Sequence, residues 1–334
     1  MKYDVCGIGN ALVDMEFKVD DSFFTENNIE KGLMTLVEED RQKELIEKLH
    51  LANTDELKRQ CGGSAANTVI AVSQFGGKSF YQFKIANDET GHFYLNNMKE
   101  NGVDTKNRES ELPNGTTGKC MVMVSSDAER TMNTFLGITG SLDTEQIDEE
   151  AIKNSKWIYI EGYLVASPTG QKAAVKAREI AQKNGVKTSL TMSDPNMVKF
   201  FKENMKEIIG DGLDLIFCNE HEAMDFTETN NILEARELMK KFAKTFVITQ
   251  GKNGALIWNG DMFVDIEAHK VVALDSNGAG DMFAGAFLYG ITNGHSFASA
   301  GALASYASSK VVSQYGPRLD WTQAKDVLKN SNAN

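Results

Sequence analysis

The run Asp275-Ser276-Asn277-Gly278-Ala279-Gly280-Asp281 sets two glycines and an alanine between carboxylates. Small residues leave the main chain bare, so its N–H groups can face outward unobstructed. Downstream, Phe283, Phe287 and Ile291 recur four apart, one stripe of an α-helix. A helix starting at the glycines adds unpaired N–H groups and partial positive charge. Such a turn suits an anion, phosphate above all. Asp281 is then the odd residue: a carboxylate there repels phosphate, unless it takes a proton from the attacking group. A plain helix cap, with Ser276 or Asn277 capping and Asp281 favouring the dipole, uses the same residues.

Other clusters carry polar or glycine character. In Cys61-Gly62-Gly63-Ser64-Ala65-Ala66-Asn67 the glycine pair makes a tight turn before a helix. Its main chain can approach a sugar closely, and Asn67 both donates and accepts. Asn10 and Asp14 follow the apolar stretch 5–9; a carboxylate accepting two neighbouring hydroxyls recognises a diol, while an Asx turn competes at Asn10. Asn219 and Glu222, three apart, share one side of a helix's first turn and equally fit a capping box. Thr249, Gly251 and Gly254 lie between a strand and a hairpin, and Arg130 follows the turn 127–129 of another hairpin.

Residues 275–288 resemble, position for position, the C-terminal signature of the ribokinase-like (PfkB) family of carbohydrate and nucleoside kinases. The 61–67 stretch resembles that family's N-terminal signature, and the string Asn277 to Asp281 resembles its adenosine-kinase branch. The resemblance implies Asp281 as catalytic base and Gly278, Ala279 and Gly280 as the anion hole. It implies that Asn10, Asp14, Gly62, Gly63 and Asn67 hold the acceptor. Asn219 and Glu222 would order phosphate oxygens and Mg²⁺ through water, while Thr249, Gly251, Gly254 and Ser305 flank ATP. Arg130 would ride a lid and bring positive charge to the transferring phosphate. Asp275 would help hold a monovalent cation such as K⁺. The implied reaction is γ-phosphoryl transfer from ATP to a hydroxymethyl of a nucleoside, adenosine first. A sugar kinase of the same family and a nucleotide-binding regulator without catalysis are the alternatives.

Elements must bring these residues together. From residue 157 onward strands and helices alternate: 157–160, 169–183, 187–191, 199–209, 213–217 and 220–226. This beat predicts a doubly wound, mostly parallel α/β sheet, whose ligands sit beyond the carboxyl ends of the strands. The motifs at 10–14, 219–222, 249–254 and 275–281 are expected at such ends, the last after a strand at 271–274. Residues 16–36 show no helical stripe and predict strands of a separate small sheet. With the hairpin at 116–135 this gives a single kinase chain over 1–334, with β-lid segments at about 15–36 and 113–136.

Composition sets limits. At 41% hydrophobic and 25% charged residues the chain is ordinary globular. A net charge of −12 argues against nucleic acid as partner, since that binding rests on Lys and Arg. The partners expected are ATP and a small acceptor, with no membrane. Gly7-x-Gly9 is no dinucleotide fingerprint, because Leu12 stands where its third small residue belongs. Four dispersed cysteines offer no zinc spacing and suit a reducing compartment. Asp4 and Asp14 interrupt the first apolar run, so a cytoplasmic chain without a signal peptide is expected.

Overall fold

The computed structural model describes residues 1–331, apart from Asn53, Asp55, Ala128 and the side chain of Leu57. The turn expected at 127–129 thus includes Ala128, outside the described residues. A nine-stranded sheet runs in the order Phe263–Ile266, Ala255–Trp258, Ala243–Thr249, Leu213–Asn219, Lys187–Thr191, Ser155–Glu161, Tyr3–Ile8, Ser79–Gln82, Val103–Asp104. From Ala243–Thr249 to Val103–Asp104 all neighbours are parallel; the 255–266 hairpin is antiparallel at one edge.

Side chains alternate across a strand, so a parallel sheet buried on both faces needs two apolar layers. Val5 enters one cluster, Cys6 and Ile8 the other. The chain leaves Tyr3–Ile8 toward Ser79–Gln82 on one side, and Ser155–Glu161 pairs on the other. That reversal opens a crevice at the strands' carboxyl ends.

Helix packing sets the site's geometry. Helix Ser64–Gln74 is buried from Ala65 to Gln74, and Gly7 lets it sit on the sheet: a Cβ there would lie 2.6 Å from Val69 Cγ1. Helix Ala279–Thr292 packs on its other side through Gly285, where a Cβ would meet Ala71 Cβ at 2.6 Å and the Thr68 carbonyl at 2.7 Å. Two helices in such close contact bring their first turns together. Those turns carry Ser64, Asn67 and Asp281.

A second, five-stranded sheet has the order Met34–Leu36, Arg130–Gly137, Thr117–Val124, Leu12–Lys18, Glu56–Gly62. It departs from expectation in two places. Helix Asp21–Glu26 interrupts the segment expected to hold only strands; six residues with one buried side chain, Phe24, leave no stripe to read. The sheet also begins at Leu12 and recruits Glu56–Gly62, a strand held by its ladder to Leu12–Lys18 rather than by apolar alternation.

Residues 271–274 form no strand. Val271, Val272 and Leu274 are 44%, 81% and 41% exposed, and the segment is tied down where Leu274 N and Asp275 N donate to the Val312 carbonyl at 2.7 and 3.2 Å. The glycine turn therefore enters its helix from an irregular segment, while Asn10, Asn219 and Thr249 do sit at strand ends. Among the described residues no helix is long and apolar enough to cross a membrane.

Candidate active site

A cleft of about 390 Å³ lies between the carboxyl ends of the large sheet and the second sheet. Asp281 is on its wall. Gly278 caps the helix at φ +74°, and a Cβ there would strike Pro317, so only glycine makes this turn. Past Gly280 there is open space, with nothing within 4 Å of where its Cβ would be. Ala279 N–H reaches the Ser276 carbonyl at a long 3.4 Å, and among the described residues the N–H groups of Gly280 and Asp281 have no partner. The turn presents free donors at a helix N-terminus.

Both oxygens of Asp281 are held. Ser64 Oγ donates to Oδ1 at 2.6 Å and Asn67 Nδ2 to Oδ2 at 2.9 Å. Burial raises its pKa to about 6, opposed by these two hydrogen bonds and by the charge of Arg318. A carboxylate that titrates near neutrality and is fixed by two donors is equipped to take a proton.

The glycine pair beside it has a steric reason. A Cβ on Gly62 would collide with the Asp14 carboxylate; Gly63 has φ +98°, and its Cβ would collide with the Asn10 carbonyl. Gly62 thus makes room for Asp14 without lining the cleft, whereas Gly63, Asn10, Asp14 and Asn67 all line it. Burial raises Asp14 to about 7, against the pull of Arg318 and Arg130. The Asn67 Oδ1 is buried without a partner, an acceptor left for something that binds here.

At the other end of the cleft, Asn219 and Glu222 form a capping box: Asn219 N donates to Glu222 Oε2 and Glu222 N to Asn219 Oδ1, each at 2.8 Å. Both nevertheless line the cleft, as does Thr249. Burial raises Glu222 to about 7. Gly251 and Gly254 bound a tight turn outside the cleft, where a Cβ on Gly254 would strike the Ile266 carbonyl. Ser305 donates to the Glu267 carbonyl at 2.7 Å and is also outside it. Ala279, Arg130 and Asp275 do not line the cleft either. Arg130 Nη2 is hydrogen-bonded to Asp275 Oδ2 and lies 3.6 Å from Glu16 Oε2.

A family model described as pfkB family carbohydrate kinase matches residues 34–324. The chain belongs to the pfkB family. It is a kinase, a phosphotransferase with an alcohol group as acceptor, and its α/β fold with a large, mostly parallel sheet and a second small sheet is the ribokinase-like one expected. The adenosine kinase from Sinorhizobium meliloti matches with a TM-score of 0.90 at 33% identity, over 98% of this chain and 99% of that one. A 5-dehydro-2-deoxygluconokinase of Clostridium botulinum is 28% identical over 293 residues, 83% of this chain and 85% of its own. The adenosine kinase of Dictyostelium discoideum is 27% identical over 341 residues, 95% of this chain and 96% of its own.

Three residues of this pfkB kinase's site escape the sequence reading. Ser64, which holds Asp281, stands beside the glycine pair, and a hydroxyl in a helix's first turn was a usable signal. Glu161 ends the strand Ser155–Glu161; its Oε1 accepts from Asn10 N and Nδ2 at 3.1 and 3.0 Å, and its Oε2 from Ala65 N at 2.9 Å. It ties the Asn10 turn to the Gly63 turn, and burial raises it to about 7. A charged residue closing an apolar strand was again a signal. Arg318 gave none: it is buried, with Nη1 donating to Cys61 Sγ at 3.0 Å.

Proposed function

We propose that this kinase transfers the γ-phosphoryl group of ATP to the 5′-hydroxyl of a purine nucleoside, adenosine first, with Asp281 as general base. The observation that carries the acceptor reading is the lining of the cleft beside Asp14. Leu12, Met34, Leu36, Met132 and Leu136 give it an apolar wall. Asp14, Glu161, Glu222 and Asp281 also line it, while no Lys, Arg or His does among the described residues. An uncharged acceptor with a flat apolar base fits such a lining; a sugar acid brings its carboxylate toward four carboxyl groups.

The chemistry follows from the contacts. Asp14 accepts the ribose diol, and the unpartnered Asn67 Oδ1 accepts from a further hydroxyl. Glu161 keeps both turns in register. The reacting hydroxyl gives its proton to Asp281, which Ser64 and Asn67 keep in one orientation while the new P–O bond forms and the bond to ADP breaks. The free N–H groups at Gly280 and Asp281 face the oxygens of the phosphoryl group and need no reorganisation as charge develops. Glu222 and Asn219 fit a Mg²⁺ held through water: their capping box engages Oε2, and among the described residues no donor reaches Oε1. The ion, when bound, neutralises phosphate charge. Gly251, Gly254 and Ser305 act indirectly, by shaping the hairpin and the 267 segment along the nucleotide. The second sheet acts as a lid that excludes water, the competing acceptor.

A sugar kinase is the second reading, favoured by the 5-dehydro-2-deoxygluconokinase relative. Comparing kcat/KM for adenosine, ribose, fructose and 5-dehydro-2-deoxygluconate with ATP and Mg²⁺ decides between them. Adenosine is expected to rank first; a higher value for any of the others overturns the nucleoside assignment. Asp281→Asn is expected to lose about 10²–10⁴-fold in kcat with nucleotide binding kept.

A further inference from the structure

The family resemblance implies a monovalent cation at Asp275, and the residues present do not fit one. Asp275 is buried, and each of its carboxylate oxygens is already engaged. Oδ1 accepts from Asn277 N at 2.9 Å, within the glycine turn itself. Oδ2 accepts from Gly316 N at 2.8 Å and from the Arg130 guanidinium. A cation brought to this carboxylate would meet a buried guanidinium of the same sign.

The pair joins two separate parts of the molecule. Arg130 is the first residue of its strand in the second sheet, and Asp275 opens the turn whose N–H groups face the cleft. Glu16, from another strand of that sheet, stands 3.6 Å from the same guanidinium nitrogen. The guanidinium thus bridges a carboxylate of each part, in a setting where Arg130 and Asp275 side chains are 10% and 1% exposed. A fixed positive charge behind the turn does for Asp275 what an ion would do: it offsets the buried negative charge and holds the turn's shape. Arg130 supplies it covalently.

We propose that Arg130 takes the place of the monovalent cation at Asp275, so that the anion-binding turn is supported by the second sheet and the enzyme works without K⁺. Arg130 is in this sense a positioning residue, acting through Asp275 on the turn that carries Gly280 and Asp281. Removing its side chain leaves a buried carboxylate with two N–H donors and no ion-paired countercharge among the described residues, Lys58 lying near the Gly316 end of the site without pairing to it, and a small cation then becomes the substitute.

The test compares K⁺ with tetramethylammonium at matched ionic strength, in the wild type, Arg130→Ala and Arg130→Gln, by turnover and by thermal melting. Wild-type turnover and Tm are expected to be the same in both salts. In the variants K⁺ is expected to raise turnover by roughly 5–150-fold, the range of a coupling between two sites. It is expected to raise their Tm by roughly 2–4 °C, the size of a modest ligand stabilisation in a chain of this length. A variant that folds only in K⁺ gives the same answer. K⁺ stimulation of the wild type overturns the proposal, as do variants indifferent to K⁺ in both readouts. Only the turnover arm rests on the kinase reading: absence of turnover with every acceptor would sink that reading and leave the melting arm to decide this one.

Discussion

Gly285 is where the helix carrying Asp281 packs on the helix carrying Ser64 and Asn67, and filling that contact tests how Asp281 is positioned. A Cβ there would lie 2.6 Å from Ala71 Cβ and 2.7 Å from the Thr68 carbonyl. Carbon atoms rest about 3.5–4.0 Å apart, so Gly285→Ala must separate the two helices by roughly 1 Å. Overpacking of this kind costs about 1–3 kcal/mol, while alanine favours the helix interior by about 0.8–1.0 kcal/mol over glycine. The second effect offsets part of the first, leaving a net cost of about 0–2 kcal/mol, and Tm is expected to drop by only a few degrees. Catalysis has no such compensation. The same separation lengthens Ser64 Oγ to Asp281 Oδ1 from 2.6 Å and Asn67 Nδ2 to Asp281 Oδ2 from 2.9 Å, past the range of a hydrogen bond. Misplacement by about 1 Å costs up to ~10²-fold in rate.

A second readout distinguishes this from general damage. Those two hydrogen bonds hold the Asp281 pKa down against burial, so losing them lifts it above about 6. The acid limb of kcat/KM, which reports the free enzyme's base, should move to higher pH in Gly285→Ala. Gly290 provides the control, because a Cβ there would lie 2.8 Å from Ala300 Cβ, a comparable clash on the same helix but about one and a half turns further from Asp281. Gly290→Ala should lower Tm with little change in kcat and none in the acid limb. Wild-type kcat with an unmoved limb in Gly285→Ala would refute the reasoning, and so would a Gly290→Ala variant that reproduces the whole effect.

Other outcomes follow from the same contacts. In the wild type, kcat/KM should fall as pH drops through about 6, where Asp281 takes up its proton; a limb near the ordinary aspartate value would place the base elsewhere. Asp14, Glu161 and Glu222 all have folded pKa values raised to about 7, so the native state holds protons that the unfolded chain has lost. Stability is therefore greatest below the unfolded values and declines as pH rises through 7. Tm should fall over that window in the wild type and fall less in Glu161→Gln; an equal decline in both would remove Glu161 from this account. Glu222→Gln should raise the Mg²⁺ concentration needed for half-maximal turnover, and an unchanged requirement would leave Glu222 a capping residue alone. Asp14→Asn, which keeps one acceptor oxygen and loses the charge, should raise KM for the acceptor more than KM for ATP; the reverse order would move Asp14 away from the diol.

What the sequence disclosed of this site depends on how local the physics of each residue is. Gly278 and Asp281 were legible because a positive φ and a helix start are settled within a few residues, and the chain writes both in one string. The parallel sheet was legible because apolar runs and helical stripes alternate with a fixed beat. Glu56–Gly62 was not, since its place in the second sheet comes from pairing with Leu12–Lys18, some forty residues away, and its own residues carry no apolar alternation. The run 271–274 misled for the opposite reason: valines and a leucine read as a strand, yet among the described residues the segment joins neither sheet and stays exposed. Arg130 shows the same limit in function. A hairpin arginine was visible, and so was Asp275, each with a role borrowed from the family. That the two neutralise each other across 145 positions is a property of the packed molecule. It converts two separate expectations, a charge on phosphate and a bound ion, into one ion pair that links the second sheet to the turn carrying Asp281.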